Sequence, residues 1–442
     1  MGRKAVDMDS IVSDLVLAPS MDEKIRVAKK ITDIAYKKGI YSSSINGLYM
    51  ARGKNEFPCT FTVPAINLRT LTYDLARAIF RVAKRNNAGA FIFEIAKSEM
   101  GYTDQPPVEY VAVCLAAAVK EGWTGPVFIQ GDHFQVSAKN YRDNPTKEID
   151  SLKALMSKAI EAGFYNIDID SSTLVDLSKP SIKKQQKDNY EVCALLTNFI
   201  RQNQPRGIEI SVGGEIGEVG HQNSTPEDLR AFMDGYKDKL RKGRVGISKI
   251  SIQTGTSHGG VVLPDGTIAK VKLDFDTLKN LSKIAKEEYG MAGAVQHGAS
   301  TLPSEAFGKF PENNAAEVHL ATEFQNMVYD SAHFPKELKD RMYDWVRKNL
   351  ASERKPNDTD EQFIYSARKK ALGAFKKDIM NLPKETRDAI AAELEKKFEF
   401  LFEKLNVKNT RDLTSKYITL KRVISRKREP SAHVELTGEG AD

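Results

Sequence analysis

The feature that most limits how this chain can fold is a regular alternation of short apolar runs with longer helical segments between residues 60 and 322. Such alternation is typical of βα units around a parallel sheet. We predict eight strands: Thr60–Asn67, Ala88–Ile95, Pro126–His133, Tyr165–Asp170, Gly207–Val212, Ser248–Gln253, Gly293–His297 and Ala316–Thr322. Because eight strands close a barrel and no GxGxxG follows the first, we predict a (β/α)8 TIM barrel rather than an open, doubly wound sheet.

The segments between these strands carry helix signals. Ser224, Thr225 and Pro226 offer a hydroxyl cap and a proline for the first turn of a helix. Gly163 and Gly290 follow two other helical segments, where a left-handed residue is needed. The predicted helices cover residues 71–86, 107–121, 148–162, 188–203, 226–236 and 275–289.

The alternation divides the chain into three predicted parts. Residues 1–58 form a mostly helical lead-in, and residues 59–330 form the barrel. Residues 331–442 are rich in Lys, Glu and Ala and form a helical extension, with helices predicted at 335–350, 360–379, 384–405 and 410–423. The extension packs either on the barrel or on another subunit, so we expect a homo-oligomer.

Composition excludes several classes of protein. The first twenty residues lack a long apolar core, and no later run is long enough to span a membrane, so we expect neither a signal peptide nor a membrane protein. Three widely spaced cysteines argue against a disulfide framework and favour the cytoplasm. The net charge is +7, and its densest cluster, Ser425–Arg428, contains no interleaved aromatics, so we expect no nucleic-acid partner.

Histidines fall where a barrel builds its active site. His133, His258 and His297 lie at or just beyond the ends of the third, sixth and seventh predicted strands, and His319 lies within the eighth. The carboxyl ends of barrel strands open onto one face, where such enzymes place their chemistry. Three imidazoles that converge there would suit a borderline-soft cation such as Zn²⁺, with a position open for substrate.

Carboxylates accompany these histidines. Asp132 precedes His133, and because side chains alternate along a strand, we expect it to point differently and to serve as a proton donor or acceptor rather than a ligand. Asp170 and Glu215 end the fourth and fifth predicted units. They would either hold a second cation, divalent or monovalent, or orient a ligand histidine.

Two glycine-rich loops follow the sixth and seventh strands, at residues 254–260 and 297–301. Backbone N–H groups in such loops can approach an anion, and barrels often bind phosphate at this end. The alternative is that they are merely tight turns.

These motifs resemble the class II, zinc-dependent fructose-bisphosphate and tagatose-bisphosphate aldolases. The resemblance covers about residues 60–325 and rests on the order of five motifs: Asp132-His133, Asp170 with Ser172, GEIG at 214–217, SHGG at 257–260 and HGAS at 297–300. VPAIN at 63–67 also resembles the first strand of that family.

The resemblance implies reversible aldol cleavage of a phosphorylated ketose to dihydroxyacetone phosphate and an aldehyde, through a zinc-stabilised enediolate. It implies His133, His258 and His297 as zinc ligands, Asp132 as the proton donor, and Asp170 and Glu215 at a second cation position. The implied substrate-binding residues are Asn67, Gly259, Gly298, Ala299, Ser300, His319 and Thr322. Arg368 is a candidate for the arginine that reaches a phosphate from the C-terminal region of the family.

The chain also departs from the family pattern. The last strand of the family reads Asn-x-Asp followed by Thr or Ser, and here the matching residues are His319–Thr322. The loop at 219–223 carries no acid where the family has one that moves a proton, and Glu218, His221 and Glu227 are all possible substitutes. Ala96 and Lys97 stand where the family often has a serine. These changes favour a variant sugar phosphate.

Two other hypotheses stay open. The chain could be a non-catalytic accessory subunit, although the retained histidines and Asp132 argue against that. It could instead be another zinc-dependent lyase or epimerase acting on a sugar phosphate, or a hydrolase that uses zinc-bound water.

Overall fold

A computed structural model provides the three-dimensional structure and describes residues 6–217, 222–255, 263, 273–299 and 302–423. The described residues form nine strands: β1 Ile40–Ser43, β2 Val63–Asn67, β3 Ile92–Ala96, β4 Gly125–Gln135, β5 Asn166–Asp170, β6 Ser211–Glu215, β7 Lys249–Ile252, β8 Ala294–Gln296 and β9 Glu317–Leu320.

Strands β2 to β9 form a closed parallel barrel. Each pairs with the next along the chain, and β2 also pairs with β9, with Val63 opposite Glu317. Because all of these pairings are parallel, the carboxyl ends of the eight strands meet at one mouth. The predicted eight-stranded barrel is therefore confirmed.

Helices surround the barrel and also form most of the described residues before and after it. In the described part of the chain they are α1 Met8–Val16, α2 Met21–Lys37, α3 Asn46–Gly53, α4 Thr72–Arg85, α5 Lys97–Tyr102, α6 Pro107–Lys120, α7 Ala138–Asp143, α8 Pro145–Ala162, α9 Ile182–Gln185, α10 Lys187–Asn203, α11 Pro226–Lys239, α12 Phe275–Glu287, α13 Lys309–Glu312, α14 Thr322–Asp330, α15 Lys336–Asn349, α16 Asp360–Ala367, α17 Ala371–Ala374, α18 Lys376–Met380, α19 Lys384–Lys404 and α20 Arg411–Tyr417. Short 3-10 turns lie at Ser172–Leu174, Ser304–Ala306, Ala351–Glu353 and Arg368–Lys370. Within the described residues, no helix is both long and apolar enough to cross a membrane.

The helix signals in the sequence act as expected. Thr225 caps α11, its side chain accepting from the N–H of Asp228 while Asp228 bonds back to the Thr225 N–H. Gly163 ends α8 with φ 117°, a left-handed conformation that a side chain would strain. These ends fix where each helix turns back toward the next strand.

Several strand predictions had wrong limits. The first, second and fifth began too early, because the residues directly before β2, β3 and β6 do not join the sheet. The N–H groups of Gly89 and Ala90, for instance, both bond to the Thr410 hydroxyl near α20. The eighth was carried too far: β9 ends at Leu320, and Thr322 is the first residue of α14.

Three further elements differ from the prediction. The helix predicted at 410–423 is the shorter α20, which ends at Tyr417. The lead-in contains strand β1, which pairs in parallel with the start of β4, Ile40 lying opposite Gly125. The helix predicted at 360–379 is broken into α16, a 3-10 turn, α17 and α18. Gly373 lies in this stretch, where an added Cβ would be 2.4 Å from the Tyr102 carbonyl oxygen, so the extension touches the barrel wall closely.

Arg52 joins the lead-in to the barrel. It is 1% exposed, and its guanidinium donates to the backbone carbonyls of Phe61, Ala292, Asn314 and Ala315. These carbonyls precede β2, β8 and β9, at the barrel end opposite the mouth. One α3 side chain thus ties three segments of the barrel together.

Candidate functional site

Asp132 and His133 reach the same site because β4 carries a bulge. The register of β4 against β5 shifts between Gly131 and Phe134, and His133 adopts φ 38°, which costs energy for a residue with a side chain. A Cβ on Gly131 would lie 2.4 Å from the Phe134 ring, so glycine makes room for the bulge. The expectation that the two side chains diverge is therefore wrong: Asp132 Oδ1 lies 3.8 Å from His133 Nε2.

His133 and His297 converge at the mouth of the barrel. His297 follows β8, and its Nδ1 lies 2.5 Å from Nε2 of His133. The other nitrogen of each ring is already occupied. Nε2 of His297 lies 2.9 Å from the Ser251 hydroxyl, and Nδ1 of His133 lies 3.1 Å from Asp170 Oδ2. Such outer partners fix the orientation of metal-binding histidines.

Asp170 and Glu215 lie together beside His133. Glu215 Oε2 is 3.4 Å from His133 Nδ1, so both carboxylates face the nitrogen that does not point at His297. Burial opposes ionisation of Asp170, but hydrogen bonding to His133 outweighs it and lowers its pKa. Burial, then the charge of Asp170, raises the pKa of Glu215 to about 7. The trio of His133, Asp170 and Glu215 is also close enough to hold an ion.

The site attracts positive charge. Burial opposes ionisation of Asp132, but the charges of His133 and then His319 outweigh it and hold its pKa well below the ordinary value. Burial likewise opposes the charged form of His133, yet Asp132 and Glu215 raise its pKa well above that of free histidine. Oxygen and nitrogen donors in such a field favour a cation.

A second polar layer lies deeper in the barrel. His319 Nδ1 is 3.0 Å from Glu94 Oε2 and 3.1 Å from Asp132 Oδ1. On its other side, Nε2 is 2.7 Å from Glu317 Oε1, and the Lys249 ammonium ion-pairs with Glu317 in turn. The ring of His319 stacks on that of His297 at 4.1 Å. His319, predicted to bind substrate, is thus held between carboxylates on both sides.

The prediction missed most of this deeper layer. Its unpredicted members are Glu94, Gln130, Asp168, Lys249 and Glu317. A signal was present: each is a polar or charged residue inside an otherwise apolar barrel strand, as in IFEIA and EVHL. Such a residue can be buried only if it is paired, so several in one barrel predict a network.

The other predicted site residues have varied surroundings. Asn67 is buried at the end of β2, and its amide donates to Glu99 at 2.6 Å. Gly298 has φ 65° directly after His297, and Ala299 is buried. Thr322 lies on α14 and not in the sheet. His258, Gly259 and Ser300, together with Glu218 and His221, lie outside the described residues.

Arg368 approaches the barrel from the extension. It donates to Asn326 on α14 at 2.6 Å and to Tyr343, and its guanidinium lies over the rings of Tyr329 and Tyr365. Its closest acid is Asp330, at 3.2 Å. The helix that it contacts, α14, directly follows the last barrel strand.

Residues 59–406 match the model of the family described as class-II fructose-bisphosphate aldolase. None of the curated proteins matches the chain.

Two solved structures share the fold. The fructose-bisphosphate aldolase of Campylobacter jejuni is 18% identical, with a TM-score of 0.50, and the match covers 84% of this chain and 96% of that one. A probable tagatose 6 phosphate kinase of Sinorhizobium meliloti 1021 is 14% identical, with a TM-score of 0.52, and the match covers 80% and 99%. At such low identities, the likeness concerns the fold alone.

Proposed function

Because the chain belongs to the class-II fructose-bisphosphate aldolase family, we propose that it catalyses the reversible aldol cleavage of a phosphorylated ketose with a divalent metal ion. The proposed products are dihydroxyacetone phosphate and an aldehyde, and the proposed ion is zinc. Fructose 1,6-bisphosphate or a related sugar phosphate is the proposed substrate. Family membership supports the reaction class, and the side chains at the mouth support the metal.

The observation that carries this proposal is the convergence of His133 Nε2 and His297 Nδ1, 2.5 Å apart, beside the Asp132 carboxylate. The remaining nitrogen of each ring is held by a carboxylate or a hydroxyl. These donors fit zinc, which prefers imidazole nitrogen and needs outer groups to orient it. His258 is the proposed third ligand.

The side chains then have distinct roles. The ion would supply a Lewis acid at the substrate carbonyl. Asp132 would move a proton to or from the substrate oxygen at the carbon–carbon bond that forms or breaks. Its contact with His319 holds one carboxylate oxygen in place, 3.1 Å from Nδ1. Ser251 and Asp170 would keep the two rings directed at the ion, and the loop at Gly298 and Ala299 would offer backbone N–H groups to a phosphate.

Cleavage of fructose 1,6-bisphosphate by the purified chain tests the proposal. We expect cleavage to stop after treatment with a chelator and to return when zinc is added. His297→Ala should stay inactive in zinc, whereas His333→Ala, an exposed histidine on the extension, should keep full activity. If zinc binds but neither this substrate nor other ketose phosphates are cleaved, the aldolase proposal fails and an accessory subunit or another zinc lyase becomes the better explanation.

Other predictions remain proposals. They are the divisions at residues 58/59 and 330/331, the homo-oligomer and the cytoplasmic location. The buried free thiols Cys114 and Cys193 are compatible with a reducing compartment.

A further inference from the structure

A tyrosine of the lead-in reaches into the barrel from the end opposite the mouth. Tyr49 lies on α3, its side chain is fully buried, and its hydroxyl donates to Glu317 Oε2 at the start of β9. Arg52 on the same helix bonds to backbone carbonyls at this end of the barrel, which fixes the position of α3. Burial and then the charge of Glu317 raise the pKa of Tyr49 well above its ordinary value, so the hydroxyl keeps its proton and remains a donor.

Glu317 connects Tyr49 to His319. Glu317 and His319 are two residues apart on β9, so both side chains point into the barrel, and Glu317 Oε1 lies 2.7 Å from His319 Nε2. Gln130 donates to the same oxygen at 2.8 Å, and the Lys249 ammonium pairs with it. Burial opposes ionisation of Glu317, but the charge of Lys249 and the bond to His319 outweigh it and lower its pKa to about 2. Glu317 is therefore an anchored, charged acceptor for His319.

His319 in turn contacts the carboxylate at the mouth. Its Nδ1 lies 3.1 Å from Asp132 Oδ1 and 3.0 Å from Glu94 Oε2. Burial, then the charge of Asp132, raises the pKa of Glu94 to about 8, so near neutral pH Asp132 is the charged acceptor at this nitrogen. With Oδ1 engaged by His319, Oδ2 is the oxygen of Asp132 that would exchange a proton with the substrate.

We propose that Tyr49 is a positioning residue, which holds Asp132 for proton transfer through Glu317 and His319. The inference rests on the proposed function, in which Asp132 moves a proton to or from the substrate. Tyr49 precedes the residues 59–406 that match the family model, so family membership assigns it no role. The lead-in would thus act on the reaction from the barrel end opposite the mouth.

Loss of the Tyr49 hydroxyl should disturb Asp132 and leave substrate binding in place. Glu317 Oε2 loses the hydroxyl that donates to it, so the carboxylate can turn, and the His319 ring that bonds to it can turn as well. A displacement of a reacting group by about 1 Å can cost about 100-fold in rate. We expect a smaller fall in kcat, about 10-fold, because a single hydrogen bond to a charged group is removed.

Steady-state cleavage of fructose 1,6-bisphosphate by the full chain in excess zinc tests the proposal. Tyr49→Phe keeps the buried ring, and we expect kcat and kcat/KM to fall together by about 10-fold, with KM within about 2-fold of the wild-type value. Tyr73→Phe is the matched control and should keep the wild-type kcat. Its hydroxyl also joins the barrel to the lead-in, donating to Asp9 at 2.7 Å, but it lies on α4 outside the barrel interior. Circular dichroism and elemental zinc analysis check that each variant is folded and loaded.

A double substitution shows whether Tyr49 acts through His319. His319→Asn alone should lower kcat, and adding Tyr49→Phe should lower it no further, because the connection to Asp132 is already broken. A merely structural role of Tyr49 would lower kcat by the same factor with and without His319→Asn, and that result would overturn the proposal. A kcat for Tyr49→Phe equal to that of Tyr73→Phe would also overturn it.

Nuclear magnetic resonance of the full chain with isotope-labelled histidine tests the connection without relying on activity. The ring N–H of His319 that donates to Glu317 should give a downfield proton signal, which is assigned by its loss in His319→Asn. We expect this signal to move in Tyr49→Phe and to stay in place in Tyr73→Phe. Cleavage by the wild-type chain together with an unmoved signal overturns this inference alone. A signal that moves in a chain that cleaves no ketose phosphate overturns the proposed function, and the role of Asp132 with it.

Discussion

Lys249→Met should destabilise the barrel more than most single substitutions. Lys249 is 1% exposed, and its ammonium lies 2.9 Å from Asp168 Oδ2, 2.8 Å from Gln130 Oε1 and in direct contact with Glu317. Removing one partner of a buried ion pair costs about 3–5 kcal/mol, because the remaining charge is left without compensation. Two carboxylates lose their ammonium partner here, while the His319 ring stays beside both of them. We therefore expect a loss within that range.

Urea unfolding of the full chain in a chelator, followed by circular dichroism, measures this loss. Lys239→Met is the matched control, since Lys239 pairs with Glu191 at the surface, where the two side chains are 52% and 31% exposed. It should cost less than about 1 kcal/mol. Adding Glu317→Gln to Lys249→Met should recover part of the loss, because one of the two carboxylates that lost the ammonium no longer carries a charge. A loss for Lys249→Met no greater than that of the control would refute the reasoning.

Three further substitutions test separate parts of the structure. Ser251→Ala removes the hydroxyl that orients His297 and should weaken zinc binding about 10–100-fold. Competition with a chromophoric chelator measures this affinity, and an unchanged value would show that the hydroxyl does not orient the ring. Burial, then the charge of Asp132, raises the pKa of Glu94 from 4.5 to about 8, so its contribution to stability is full below pH 4.5 and is lost as the pH rises toward 8. Glu94→Gln in a chelator should flatten the fall in unfolding free energy across that window, and an unaltered pH profile would contradict the assignment. Arg52→Met should cost at least about 3 kcal/mol in urea unfolding, because four backbone carbonyls, three of them buried, lose a charged donor. A loss below about 1 kcal/mol would show that they find other donors.

Much of the barrel could be predicted because its signals are local. Strand-length apolar runs, helix caps and terminal glycines each act over a few residues, and they located eight strands and most helices. The short strand β1 was missed because it has only four residues, Ile40–Ser43, and pairs with a strand far along the chain. So short a segment is too brief to show a recognisable alternation of apolar and polar residues, and its pairing partner cannot be identified from local sequence.

The site could be predicted only in part, for a different reason. His133, His297, Asp132, Asp170 and Glu215 were found because each ends a strand, and the structure brings these five side chains together. The residues of the deeper layer pair with partners on several different strands. Their roles can therefore be recognised only once it is known which strands are neighbours in the barrel.

The bulge in β4 sets a rule for aligning and redesigning this protein. Before it, even-numbered residues such as Gln130 and Asp132 point into the barrel; beyond it, His133 and Gln135 face Asp170. The bulge therefore switches the residues that point into the barrel from even-numbered to odd-numbered positions. A relative or a design without that extra residue would present the carboxylate or the imidazole to the lumen, but not both. The length of β4, as much as its composition, should therefore be used to judge whether a related sequence retains the site.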